Sequence, residues 1–263
     1  MSDSIKKKPV VSIGLPVYNG AERLADTIEL LLNQTFTDFE ILISDDASSD
    51  ETEKICKDFE KKDSRITYFR QAKNLGNVVK NFQFVLSKAE GEYFMFACHD
   101  DLWEYDYVEK LVKILDDDKD CSLAFSDWNI ANLLGDEKIL ITVSSSTSPS
   151  PYIRYLSRLI DLQPHLIFGL FRRNLVSSKD FALFDYFEVN FGLNMALRGK
   201  VRIANECLMS WGVEGERKSY SVSGKYMNYF PFYFSQLKLI WKNFPIFKAI
   251  VPLLILTIVM TNR

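Results

Sequence analysis

Two pairs of adjacent carboxylates define the chemistry open to this chain, Asp45-Asp46 and Asp100-Asp101. The first pair directly follows a short apolar run, FEILIS (39–44), and the second follows YFMFAC (93–98) after one residue, His99, where a strand would give way to a loop. Neighbouring carboxylates repel one another unless a cation or hydrogen-bond donors compensate. A divalent cation, magnesium or manganese, bridging the phosphates of a diphosphate ligand would do so. Hard cations take carboxylate oxygens at about 2.1 Å for magnesium and keep water and phosphate oxygens as further ligands. Such an ion neutralises the charge that develops on a departing diphosphate. Either pair alone is explained as well by capping of the next helix or by solvation. Two pairs on one edge of one sheet favour a site.

The elements around them support that placement. Val10–Leu15 reads as a buried strand ended by Pro16, and residues 21–33 carry Leu24, Ile28, Leu31 and Leu32 at helical spacing. Strands are expected again at 39–44, 65–69, 93–98 and 121–128, and helices at 51–61, 77–87 and 104–115. Strands alternating with amphipathic helices argue for a parallel sheet covered on both faces. In such sheets ligands sit beyond the carboxyl ends of the strands. The polar residues obey that rule: Tyr18 and Asn19 follow the first strand, Asp45 and Asp46 the second, Asn74 the third, and His99, Asp100 and Asp101 the fourth. Beyond the serine-rich stretch 144–151, read as a loop or mobile linker, the pattern weakens. Residues 166–173 suit a strand and 191–197 a helix.

The segments VSIGLPVYNG (11–20), LLNQTFTDFEILISDDASSDET (31–52), NLGNVVKN (74–81) and GEYFMFACHDDLWEYDYVEKLV (91–112) resemble, in order and spacing, those of family 2 glycosyltransferases. The resemblance implies an α/β fold of the Rossmann-like GT-A type, with a mixed, mostly parallel sheet flanked by helices. It also implies inverting transfer of a sugar from a nucleotide-diphosphate donor to an acceptor hydroxyl. By this likeness Pro16, Tyr18 and Asn19 line the nucleotide pocket, and Asp46, with Asp45 beside it, holds the base. Asn74 and Lys80 contact the nucleotide, Asp100 touches the ribose and Asp101 binds the metal. Lys80 stands where the family often has arginine, which alone offers a bidentate fork. His99 occupies the first place of the family's Asp-any-Asp triplet, and His165 reads as structural. Inversion by direct displacement needs a carboxylate base for the acceptor proton. Counting back from MALRG (195–199) puts Glu188 there, with Asp185 as the alternative. The family's usual Glu-Asp is Phe187-Glu188 in this chain.

Composition is ordinary for a globular chain, with 47% hydrophobic and 25% charged residues and a net charge of -3. The distribution is less even: from Arg217 onward there is no Asp or Glu, and seven Lys or Arg accompany the apolar runs YFPFYF and FPIFKAIVPLLILTIVM. That apolar tract is shorter than the roughly 20 residues a bilayer crossing needs and contains Pro252, so an interfacial or re-entrant anchor is expected. Its lysines favour anionic headgroups on the cytoplasmic leaflet. The aromatics are interleaved with Ile, Leu and Val, which disfavours nucleic acid. Residues 1–220 are thus expected to form the transferase domain and 221–263 an apolar helical, membrane-associating segment. No secretory signal pattern opens the chain, and Cys56, Cys98, Cys121 and Cys207 form no CxxC pair, which argues against zinc and for buried thiols in a reducing compartment. Donor, saccharide or lipid-linked acceptor and membrane surface would meet at the cytoplasmic face, in surface polysaccharide or glycolipid assembly. Two other readings are a sugar-nucleotide nucleotidyltransferase and an inactive donor-binding scaffold. PVYNGAERL lacks the glycine-rich basic loop of the former, whereas His99 and Phe187 suit the latter.

Overall fold

A computed structural model describes residues 7–130, 139–181 and 187–212 of the 263. The strands are β1 (Val11–Val17), β2 (Phe39–Asp45), β3 (Ile66–Arg70), β4 (Tyr93–Phe96), β5 (Leu102–Trp103), β6 (Cys121–Ile130), β7 (Ile139–Ile141), β8 (Leu170–Arg172) and β9 (Lys200–Trp211). The α-helices are α1 (Leu24–Leu32), α2 (Thr52–Lys62), α3 (Val78–Lys88), α4 (Tyr107–Asp117), α5 (Pro151–Ile160) and α6 (Phe187–Arg198). All these strands join one sheet in the order β3-β2-β1-β4-β8-β6-β9-β5, with β7 beside β6.

The first half is the expected parallel unit. β1 runs parallel to both β2 and β4, and β2 to β3. Every residue of β1 is buried, as befits a central strand covered on both faces. Pro16 does not end that strand, as its lack of an N–H had suggested. Gly14 and Pro16 turn their backbone groups toward β4, whose pairing stops at Gly14↔Phe96, so the missing donor lies beyond the last ladder bond.

The second half departs from the parallel expectation. β8 is antiparallel to β4 and β6, β7 to β6, and β5 to β9, while β6 and β9 run parallel. The sheet is therefore mixed, with parallel and antiparallel pairs in equal number among the described residues. Three further differences have local causes. The strand expected at 166–173 shortens to β8, because Pro164 opens a 3-10 turn over Pro164–Phe168 and Gly169 follows it. Residues 144–151 are not a mobile linker: Ser146 is buried, exchanges both backbone bonds with Val201, and donates its hydroxyl to the Arg154 carbonyl. The helix expected at 191–197 extends back to Phe187.

An aromatic cluster crosses between the halves. Phe94 meets Phe171 at 5.4 Å between ring centroids, Phe171 meets Phe191 at 4.9 Å, and Phe82 meets Phe96 at 4.7 Å. Such pairs add about 0.5–1.5 kcal/mol each beyond their area burial. None of the described helices is long and apolar enough to cross a membrane. The apolar segment expected at 221–263 lies outside the described residues.

Candidate active site

β2, β1 and β4 are adjacent and parallel, so their carboxyl ends and the loops that follow share one edge of the sheet. After β1 the chain exposes Tyr18 (50%) and turns through Asn19, whose φ of 50° is left-handed. Asparagine tolerates that region better than most residues. The turn is fastened to the loop after β2. The Asn19 N–H donates to Ser48 Oγ (2.8 Å), the Gly20 N–H to Thr52 Oγ1 (3.0 Å), and the Ser49 N–H to Asn19 Oδ1 (2.9 Å). Gly20 has no room for a side chain: a Cβ there would lie 2.6 Å from Val17 Cγ2 and 3.0 Å from the His99 ring. The loops after β1 and β4 therefore touch.

Asp45 and Asp46, adjacent in sequence, have different surroundings. Asp45 is fully buried, and its carboxylate accepts from Arg70 Nη1 (2.6 Å), the Tyr68 hydroxyl (2.8 Å) and the Ser48 N–H (2.8 Å). The Tyr68 phenol is pushed upward by burial and by this carboxylate. Ala47, between the two tied residues, is forced to a φ of 59°, a strain of about 1–2 kcal/mol for a residue with a Cβ. Asp46 donates its N–H to the Val17 carbonyl and accepts at Oδ1 from the Leu75 N–H (2.7 Å). Asn74 Nδ2 donates to the Asp46 carbonyl (3.2 Å), and Asn74 Oδ1 accepts from the Gly76 N–H. Gly76 sits at φ 66° with open space where a Cβ would go, so the backbone angle alone accounts for glycine. Asn77 then caps α3 by accepting from the Val79 N–H, and Lys80 Nζ reaches the Leu75 carbonyl at 3.4 Å. Asp46, Asn74 and Lys80 are thus brought into one loop cluster. Buried Asn81 holds α3 to β2 through the Ser44 carbonyl (2.9 Å) and hydroxyl (2.6 Å).

The loop after β4 is clamped by α1 and the turn that follows it: Thr27 Oγ1 donates to the His99 carbonyl, and Gln34 bonds the Glu104 carbonyl and the Val108 N–H. The Asp101 N–H turns back to the Cys98 carbonyl at 3.4 Å, which draws Cys98, Asp100 and Asp101 together; one ligand atom from each lies within 4.8 Å of the others. Asp101 is 1% exposed, and neither of its oxygens has a hydrogen-bond partner. Burial pushes its carboxyl up to about 7, and the Gly212 N–H draws it back down. A buried carboxylate without a hydrogen-bonded partner is costly unless it takes up a proton or a cation compensates it. This donor set fits a divalent ion. The argument against zinc weighed Cys–Cys spacing alone; Cys98 stands beside two carboxylates instead of a second cysteine.

The far wall comes from elements that the sequence pattern left blank. β5 pairs Leu102 with Ser210 and Trp103 with Met209 of β9, which brings Trp211 and Gly212 to the acidic loop. Trp211 meets His165 at 5.1 Å, and His165 stacks on Trp128 at 3.9 Å, so His165 packs in an aromatic cluster. Glu188 stands in the first turn of α6, half-buried. Its neighbour Phe187 is a core residue, 5.5 Å from Phe82, which stacks on Phe96 at the end of β4. Asp185 lies outside the described residues. Arg70, the partner of Asp45, drew no notice in the sequence; its position at the end of β3, one strand from Asp45, was the available signal.

A mixed sheet with carboxylates and nucleotide-pocket candidates along one parallel edge matches the class the motifs resemble, and the model of "Glycosyl transferase family 2" matches residues 12–175, more than half of the chain. The protein belongs to family 2 of the glycosyltransferases. It is 32% identical over 123 residues to TuaG of Bacillus subtilis (strain 168), a glycosyltransferase provisionally assigned to teichuronic acid biosynthesis; the match covers 47% of this chain and 48% of that one. It is 29% identical over 119 residues to glycosyltransferase GlyG of Streptococcus pneumoniae serotype 4, covering 45% and 39%. The chain thus matches less than half the length of these relatives. Among solved structures, residues 1–349 of S. aureus TarS in complex with UDP align with a TM-score of 0.64 at 18% identity, covering 79% of this chain and 61% of that one. The mannosyltransferase PcManGT of Pyrobaculum calidifontis, in complex with GDP-Man and Mn2+, gives 0.56 at 16%, covering 80% and 59%. At such identities the likeness establishes the shared fold.

Proposed function

We propose that this protein is an inverting, metal-dependent glycosyltransferase that moves a sugar from a nucleotide-diphosphate donor to an acceptor hydroxyl in surface polysaccharide or glycolipid assembly. The observation that carries the reading is Asp101, a buried carboxylate with both oxygens uncommitted, on the edge of the sheet that also presents Asn19, Asp46 and Asn74. The nucleotides held by the structural relatives, UDP in TarS and GDP-Man in PcManGT, support the ligand class. Pro16, Tyr18 and Asn19 would line the nucleotide pocket, and Asp46, Asn74 and Lys80 would bind base and nucleotide. Asp45 serves as the internal anchor of that loop, since its carboxylate is taken up by Arg70, Tyr68 and Ser48. Asp100 and Asp101 would hold a magnesium or manganese ion, with Asp100 also near the ribose. When bound, the ion would offset charge on the departing diphosphate.

Glu188 is assigned as the base for the acceptor proton, with Asp185 as the alternative. Such a base contributes about 10²–10⁴-fold to rate. The basic, apolar segment 221–263 would dock on the cytoplasmic face of a membrane and present a lipid-linked acceptor. A panel of UDP-, GDP- and dTDP-sugars, each with and without Mn2+, tests the reading by thermal shift. One donor should raise Tm only with metal, because a ligand that binds only the folded state stabilises it. No shift from any donor, and no donor hydrolysis, would instead favour the inactive scaffold.

A further inference from the structure

We infer that Cys98 is a sulfur ligand of the cation site, so that the site prefers thiophilic divalent ions over magnesium. The inference rests on the reading of Asp101 as a cation ligand and adds a donor of different chemistry. The turn that returns the Asp101 N–H to the Cys98 carbonyl folds the two side chains toward each other. Cys98, Asp100 and Asp101 each offer a ligand atom, and these atoms lie within 4.8 Å of one another. Two bonds to a common ion span at most about 4.4 Å, taking about 2.3 Å for sulfur and about 2.1 Å for oxygen. Ligands at tetrahedral or octahedral angles stand roughly 3.0–3.6 Å apart, so the three atoms draw closer together as the ion enters.

The buried member supplies the independent observation. Asp101 is 1% exposed and no hydrogen bond reaches either oxygen, so a cation drawn in beside it would offset a buried charge. The sulfur belongs to the same group of three ligand atoms. An all-carboxylate site suits magnesium, calcium or manganese, whereas a thiolate beside carboxylates shifts preference toward cobalt, zinc and cadmium. This chain's own side chain at position 98, rather than the acidic pair, would then set which ion the site takes.

Cobalt(II) reports sulfur ligation directly, through a sulfur-to-metal charge-transfer band in the near ultraviolet that oxygen ligands do not give. The purified full-length protein titrated with Co2+ should develop that band at one equivalent. Cys98→Ser should lose it while still taking up Co2+, and Asp101→Asn should take up none. By calorimetry, Cys98→Ser should weaken Cd2+ by at least about tenfold and change Mg2+ by less than about twofold. Cys98→Ala, with the same expected loss, guards against a serine-specific folding defect. The other three thiols, of which Cys56 and Cys121 are buried, are the internal control. Stoichiometric Co2+ uptake without the band, or a band that survives in Cys98→Ser, overturns the sulfur ligand and leaves the carboxylate site standing. Absence of any cation uptake overturns both.

Discussion

At the residue scale the two members of Asp45-Asp46 do different work. Asp45 is spent on Arg70, Tyr68 and Ser48. Removing Arg70 would strand a fully buried carboxylate; because the arginine is about one-third exposed and water can replace part of it, Arg70→Ala should cost about 2–4 kcal/mol. For a domain of this size that lowers Tm by roughly 5–15 °C. Asp46→Asn should leave Tm nearly unchanged and weaken donor binding about tenfold or more, the loss expected for a charge-assisted bond to a ligand. Calorimetry and thermal melts on the two variants separate these outcomes; equal effects on stability and affinity in both would erase the distinction. Glu188→Gln should lower the transfer rate by about 10²–10⁴-fold with donor affinity retained. Full activity in that variant would move the base to Asp185 or elsewhere. The sequence displayed the acidic pair but not its division of labour, because the partner that claims Asp45 comes from a different strand.

At the element scale, the alternation of strands and helices up to residue 117 was legible because each element has a clean period and a polar loop at its end. The observed boundaries of β2, α2, β3 and α3 lie within a residue or so of the expectation. β6, expected at 121–128 and observed at Cys121–Ile130, was legible too, whereas α5 and β9 were not. α5 turns Arg154, Tyr155, Arg158 and Leu159 inward, so two arginines stand where an amphipathic pattern expects apolar residues. Arg154 satisfies its guanidinium on the nearby carbonyls of Ser148 and Pro149 and on that of Ala196, 42 residues on, a bond that no local pattern announces. β9 is bulged against β6, with Asn205 at a φ of 54°, which breaks the period-2 alternation of a strand. α6 shows how the departure Phe187-Glu188 is used. Phe187 packs on Phe82 and fixes the helix start beneath Glu188. Phe187→Ala should cost about 3–5 kcal/mol through the cavity it leaves. It should also reduce turnover more than donor affinity; a denaturant melt and donor titration check both, and unchanged stability would remove the aromatic anchor from the account.

For the whole molecule, the proposed membrane setting rests on the basic apolar sequence of residues 221–263. A chain ending at Gly224 should move from the membrane to the soluble fraction of disrupted cells while still binding donor; continued sedimentation with membranes would place the anchor elsewhere. The chain matches less than half the length of its curated relatives. In the sheet, β4 and β8 meet through only two residue pairs, Tyr93↔Arg172 and Phe94↔Phe171, and these join the parallel first half to the mixed second half. With so short a ladder, the seam is held chiefly by side chains, the rings of Phe94, Phe171 and Phe191 and those of Phe82 and Phe187. Register between the two halves is therefore carried by ring packing more than by backbone bonds.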